Sequence, residues 1–216
     1  MTELTFEPMR RAMVASQLRT TGVNDPRVIA AMGEVARERF VPAERAALAY
    51  ADATVPLANG RALNPPMALG RLLTEARLQG DERALVIGAG TGYAAAVLAR
   101  LVASVTALED DAALAATARD ALAGTDVLLV KGPLEKGWAK SAPYDFILID
   151  GAVDYVPPAI VGQAAEGARI GLALLDRGVT RLAMGRVVGG AFGFTAFADA
   201  AVAILPGFEK PRGFIF

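Results

Sequence analysis

A chain of 216 residues, 54% hydrophobic and 21% charged, has the size and composition of one ordinary globular domain. Its 22 basic and 23 acidic residues nearly cancel, so no electrostatic footprint for nucleic acid or an anionic membrane is visible. With neither cysteine nor histidine, it excludes disulfides, thiol nucleophiles, Ser-His dyads and Cys/His zinc sites, which leaves carboxylates, Lys, Tyr or water for any proton transfer.

Residues 6–18 carry apolar side chains at helical spacing, with Arg10, Arg11 and Arg19 outside that face. The start has no apolar core followed by a small-residue cleavage site, so it does not read as a signal peptide. Asn24-Asp25-Pro26 is a helix start, an Asx cap with proline in the first turn, and the helix it opens is expected to reach about Val35. Arg37 to Pro42 reads as extended, residues 52–66 as a long structured loop, and residues 67–78 as a further helix. These first 80 residues form a helical extension in this reading.

The pattern then changes. Ala84-Leu85-Val86-Ile87 is a short, continuous apolar run, as in a buried parallel strand, and it runs into Gly88-Ala89-Gly90-Thr91-Gly92 and a helix over residues 93–101. Residues 105–108 form the next strand, closed by Glu109-Asp110-Asp111. A helix over 112–122, a strand over 127–130 and a strand over 144–150 ending at Asp150-Gly151 follow. A helix over 157–168 comes next, and residues 172–175, 180–188 and the C-terminal segment supply the last strands. Strands alternating with helices predict an α/β fold with a mainly parallel sheet, residues 81–216 being its core within a single domain. The apolar stretches 94–108 and 159–175 are interrupted by Arg100, Glu166 and Arg169 and make poor membrane spans. The absence of cysteine suits the cytoplasm, which is the expected compartment.

Ligands of such sheets bind beyond the carboxyl ends of the strands. Gly88 and Gly90 permit a tight turn there, and Gly92 would let backbone approach a ligand closely. The spacing is Gly-x-Gly-x-Gly rather than the Gly-x-Gly-x-x-Gly that suits a pyrophosphate, so S-adenosylmethionine is expected ahead of a nicotinamide dinucleotide. Glu109, at the end of the next strand, is placed to accept both ribose hydroxyls, or else to cap the following helix, a role that Asp111 fits better. Asp150 could face the methionine ammonium or the substrate, or cap its own turn. Lys131-Gly132-Pro133-Leu134 follows the third strand, where an adenine would lie. Trp138 reads as core or rim packing.

Taken together, the chain resembles the protein-L-isoaspartate (D-aspartate) O-methyltransferase family. The resemblance rests on Met13-Val14-Ala15-Ser16-Gln17-Leu18, Asp25-Pro26-Arg27-Val28-Ile29-Ala30-Ala31-Met32, Arg37-Glu38-Arg39-Phe40-Val41-Pro42 and Ala49-Tyr50-Ala51-Asp52. Thr74-Glu75, the glycine turn with Tyr93 and the alanines after it, Gly132, Gly137-Trp138 and Pro143-Tyr144-Asp145 follow in family order. It implies a class I S-adenosylmethionine-dependent methyltransferase fold, Rossmann-like, with a mostly parallel seven-stranded sheet and a helical N-terminal extension. It implies methyl transfer to the α-carboxyl of isoaspartyl residues in damaged proteins, with no nucleic-acid or membrane partner. The cofactor residues carried over are Gly88, Ala89, Gly90, Gly92, Glu109, Asp110, Pro133, Leu134 and Asp150; Asn64 stands at the catalytic position, and Leu63, Pro65 and Ala152 at substrate positions.

Three stretches depart from the family. Where it reads Gln-Thr-Ile-Ser-Gln-Pro, this chain has Arg61-Ala62-Leu63-Asn64-Pro65-Pro66, so an amide replaces the hydroxyl at the reaction centre. The family's Gly-Asp-Gly is Gly132-Pro133-Leu134, which removes the acid expected at the adenine amino group. Thr-Ala-Ala is Asp150-Gly151-Ala152, which adds a carboxylate. A paralogue that keeps the fold and changes or loses the reaction is the alternative, as is methyl transfer to another nucleophile with Asp150 as base.

Overall fold

The computed structural model describes residues 5–210. Helix α1 (Phe6–Ala12) runs into a wider π-type turn over Met13–Leu18, and α2 (Pro26–Glu34) begins where the Asx cap was expected, Asp25 accepting from the Arg27 N–H at 2.8 Å. A short hairpin, β1 (Val55–Pro56) with β2 (Ala62–Leu63), precedes α3 (Pro66–Ala76). The remaining elements are β3 (Arg83–Ile87), α4 (Tyr93–Leu98), β4 (Ser104–Glu109), α5 (Ala112–Ala121), β5 (Val127–Lys131), β6 (Tyr144–Val153), α6 (Pro158–Val161), β7 (Ala164–Asp176), β8 (Val179–Val188) and β9 (Ala191–Asp199).

The seven-stranded sheet has the order β5-β4-β3-β6-β7-β8-β9. Its first five strands are parallel, and β8 and β9 continue as an antiparallel meander. The chain winds outward from β3 toward β5, then returns to β6 on the other side of β3. The carboxyl ends of β3 and β6 are therefore the switch point at which such sheets bind ligands.

Side-chain alternation divides the core between the two faces. Ala84 and Val86 of β3 face a cluster that includes Met13, Met32, Leu73 and Val97 from the helices. Leu85 and Ile87 face a second cluster with Ile147, Ile149, Ile170 and Leu172. That second face is covered by short elements: α6, the turn Leu134–Lys136, and Leu205 and Phe208 of the C-terminal segment.

Four local expectations are corrected. Arg37–Phe40 is a 3-10 turn rather than extended. Residues 52–66 contain the β1–β2 hairpin rather than loop alone. The expected helix over 157–168 is only α6, because Gly162 ends it and the chain enters β7 at Ala164, with Gly167 at φ +78° where the pairing with β6 shifts register. Alanine and glutamate favour helix locally, but the place beside β6 decides the outcome. Strand β6 does not stop at Asp150: after a register shift it pairs with β7 again at Ala152 and Val153. Of the C-terminal segment, Ile204 makes one parallel bridge to Ala152, and residues 211–216 lie outside the described residues, as do 1–4. Among the described residues, no helix is long and apolar enough to cross a membrane.

Candidate active site

The glycine turn forms because β3 ends against β4. The N–H groups of Gly88 and Ala89 both donate to the Leu108 carbonyl at 3.0 Å, and the Gly92 N–H closes the turn on Ala89 at 2.8 Å. Gly88, Gly90 and Gly92 have φ of +75°, +57° and +99°, a region that favours glycine. Thr91 ties the turn to the N-terminal region by donating to the Phe40 carbonyl at 2.6 Å. Gly92 lies against protein, for a Cβ there would stand 2.9 Å from Leu122 Cδ1.

Glu109 closes β4 beside this turn, fully buried. Its carboxylate accepts from the N–H groups of Gly90 (2.6 Å), Asp110 (3.1 Å) and Asp111 (3.0 Å). Burial pushes its carboxyl above the ordinary range, while a facing guanidinium and these N–H groups pull the other way. That guanidinium is Arg61. Its Nη1 and Nη2 donate to Glu109 Oε1 at 2.9 Å and Oε2 at 3.3 Å, and Nη2 also donates to the Gly88 carbonyl at 3.2 Å.

Asn64, between β2 and α3, sits against Asp150 of β6. Its Nδ2 donates to Asp150 Oδ1 at 2.9 Å and to the Asp150 carbonyl at 3.2 Å, and its Oδ1 accepts from the Ala203 N–H at 2.9 Å. Burial pushes the Asp150 carboxyl up, against the Asn64 hydrogen bond and the more distant Arg61 and Arg37. The Asn64 carbonyl accepts from Arg37, a fully buried arginine whose guanidinium lies 4.5 Å from the centre of the Tyr93 ring.

The C-terminal segment completes the arrangement. The Ala152 N–H donates to the Ala203 carbonyl at 2.8 Å, and the Leu205 N–H to the Ala152 carbonyl at 2.9 Å. On its other side Ala152 pairs with β7, so residues 203–205 occupy the β3 side of β6, just beyond the point where β3 ends. A Cβ on Gly88 would stand 2.7 Å from Leu205 Cδ1, and one on Gly151 would stand 2.7 Å from Leu205 Cβ.

The structure thus brings together Gly88, Ala89, Gly90, Glu109, Asn64 and Asp150, with Asp110 exposed at the rim. It does not bring in the others as open lining. Leu63 and Leu134 are buried in the two core clusters, Pro65 is buried at the start of α3, and Ala152 lies under residues 203–205. Pro133 is exposed, opening the Leu134–Lys136 turn, and Trp138 packs on Gly132 as expected of a rim residue. Sequence reasoning missed Arg61 and Leu205. The signal for Arg61 was present: a cation in the loop facing a buried acid invites the question of which carboxylate it neutralises.

Comparison with known proteins agrees with this frame. Residues 9–179 match the family model described as protein-L-isoaspartate(D-aspartate) O-methyltransferase. The chain belongs to this family. A protein-L-isoaspartate O-methyltransferase of Methylorubrum populi is 44% identical over 163 residues, which is 74% of this chain and 77% of that one. The corresponding protein of Koribacter versatilis is 40% identical over 164 residues, 74% of each chain. A solved protein-L-isoaspartate O-methyltransferase superposes with a TM-score of 0.81 at 22% identity, covering 93% of this chain and 67% of that one. A Plasmodium falciparum structure assigned to the same activity, in complex with S-adenosyl-L-homocysteine, superposes at 0.76 with 15% identity, covering 97% and 100%. At these identities the two structures establish the fold.

The family cofactor can be tested against the residues present. The backbone frame suits it: three left-handed glycines at the switch point and an acid at the end of the adjacent strand. In this arrangement protein side chains already take up part of that frame. Arg61 already holds Glu109, Leu205 covers Gly88 and Gly151, and Leu134 points into the core. A depression of about 300 Å³ lies on the outer side, lined by Asn59, Arg61, Asp110, Asp111 and Pro206.

Proposed function

We propose that this chain acts as an S-adenosylmethionine-dependent O-methyltransferase on the α-carboxylate of isoaspartyl residues in damaged proteins. The observation that supports this reading best is the left-handed Gly88–Gly90–Gly92 turn with Glu109 beside it, at the switch point of a sheet belonging to this family. In this reading Gly88, Ala89, Gly90, Glu109, Asp110 and Asp150 surround the donor with Pro133 at the exposed rim, while Leu63, Pro65, Gly92, Leu134 and Ala152 pack behind them. An acceptor carboxylate is ionised at neutral pH and needs no general base, which suits a chain without histidine. Asn64, tied to Asp150 and Ala203, acts as a positioning residue that fixes the loop above β6. The reading includes a cytosolic location, with which the absence of cysteine is compatible.

The test is methyl transfer itself. Tritiated S-adenosylmethionine with an isoaspartyl peptide should give a base-labile methyl ester. No ester, with the donor demonstrably bound, would remove the assignment.

One observation favours a second reading, a family member that retains the fold without the reaction: both side-chain polar atoms of Asn64 and its carbonyl are engaged within the protein. On that reading Asn64→Ser leaves the chain inactive, whereas a gain of ester formation would favour the first.

A further inference from the structure

Three contacts converge on the carboxyl ends of β3, β4 and β6, and all come from outside the sheet. The first is the β1–β2 hairpin. Its tip is set by Asn59 and Gly60 at φ +54° and +73°, and its base is closed by the Leu57 N–H donating to the Arg61 carbonyl at 2.8 Å. The tip is tied down by Asn59 Nδ2 donating to Asp111 Oδ2 at 2.6 Å. The second is Arg61 itself, held by that hairpin with its fork on both oxygens of Glu109. The third is the segment 203–205, bonded to Ala152 on both sides and to Asn64, which sets Leu205 over Gly88 and Gly151.

The chemistry of the Arg61 contact is the chemistry expected of the ligand. A ribose diol offers two neutral O–H donors to an acid at the end of this strand. Arg61 offers two N–H donors to the same two oxygens, carries the opposite charge, and does so out of water. Charge-assisted bonds of this forked kind are about twice as strong as neutral ones. Leu205 meanwhile fills the space that glycines at 88 and 151 leave open, closing by an apolar contact what the backbone frame holds ready for a ligand.

We propose that the cofactor cleft of this chain is latched shut from within, with Arg61 standing in for the ribose on Glu109 and Leu205 covering the glycine floor. The cofactor binds only as both contacts release. This rests on the reading of the cleft as an S-adenosylmethionine site. Apparent affinity then equals the intrinsic affinity multiplied by the fraction of molecules that are open, so weakening the latch tightens binding without adding any contact to the ligand.

The experiment is calorimetric titration of S-adenosylhomocysteine into the 216-residue chain, Arg61→Ala, Leu205→Val and the double variant. Native-state hydrogen exchange at Ala152 and Leu205 on the unmodified chain accompanies it. The latch predicts weak binding by the unmodified chain and a gain on the order of tenfold or more in each single variant. It also predicts slow exchange of both amides, becoming faster when the ligand is added. Binding by the unmodified chain as tight as that of its variants, or free exchange of both amides without ligand, overturns the latch and leaves the cofactor reading standing. No binding by any variant, each shown to be folded, overturns the cofactor reading and the latch with it. The exchange measurement needs no substitution, so a variant that fails to fold does not protect the proposal.

Discussion

Asp150 is an acid removed from water whose main polar partner is an amide. Burial raises its carboxyl above 3.8, the ordinary value, because the charged form loses hydration, while Asn64 restores part through one hydrogen bond. The sign of the linkage follows. A carboxyl with a higher value in the folded than in the unfolded chain contributes stability below the unfolded value and loses it as pH rises through the folded value. Asp150→Asn keeps an acceptor for Asn64 and removes the titration. Chemical-denaturation stability should therefore fall less steeply, or rise more, in the variant than in the native chain as pH rises above 3.8. A stability difference that stays constant with pH would mean that Asp150 ionises in the folded protein as freely as in the unfolded one. At this scale the site was half legible. Glu109 could be read because an acid at the end of the strand after the glycine turn is a spacing; Arg61 left a weaker signal, a cation in need of an acid, and Leu205 left none, because its role depends on where a distant segment lands.

The antiparallel end of the sheet shows what sequence can and cannot say about an element. The β8–β9 hairpin turns through Gly189 and Gly190, both at positive φ, a turn chemistry that a glycine pair announces. Strands β3, β4 and β6 were legible as apolar runs, since a strand buried on both faces has little alternation to confuse. By contrast, the false helix over 157–168 arose because five small or helix-favouring residues lie where pairing with β6 prevails. Gly185 carries a packing constraint invisible in sequence: a Cβ there would stand 2.2 Å from the Phe192 ring and 2.5 Å from the Gly193 carbonyl. Gly185→Ala should therefore destabilise by about 1–3 kcal/mol, the usual cost of overpacking, although alanine is the better strand former. Gly193→Ala, across the same hairpin with nothing within 4 Å of its Cβ, should cost far less. Urea midpoints of the two variants decide it; equal losses would place the constraint in backbone freedom rather than packing.

For the whole molecule, the question is whether the helical N-terminal region and the sheet unfold together. The physical ties are numerous. Arg10 donates to the Tyr50 hydroxyl at 2.9 Å, that hydroxyl donates to Glu38, and burial with the Glu38 contact pushes Tyr50 to about 12. Gln17 donates to the Tyr50 carbonyl at 2.9 Å, buried Arg37 donates to the carbonyls of Ala49 and Asn64, and Asn64 reaches β6. One apolar cluster runs from Met13 to Leu182 across the same face of the sheet. On the opposite face, Trp138 packs beside the second cluster and is the only tryptophan. It therefore reports the face that the N-terminal helices do not touch, whereas far-ultraviolet circular dichroism follows those helices together with the rest. If the ties bind all of this into one cooperative unit, urea unfolding followed by Trp138 fluorescence and by dichroism should give coincident transitions with one midpoint and one slope. Loss of dichroism ahead of the Trp138 signal would mean that residues 5–80 melt from a sheet that stands without them. The single unit expected from the chain's length would then be two.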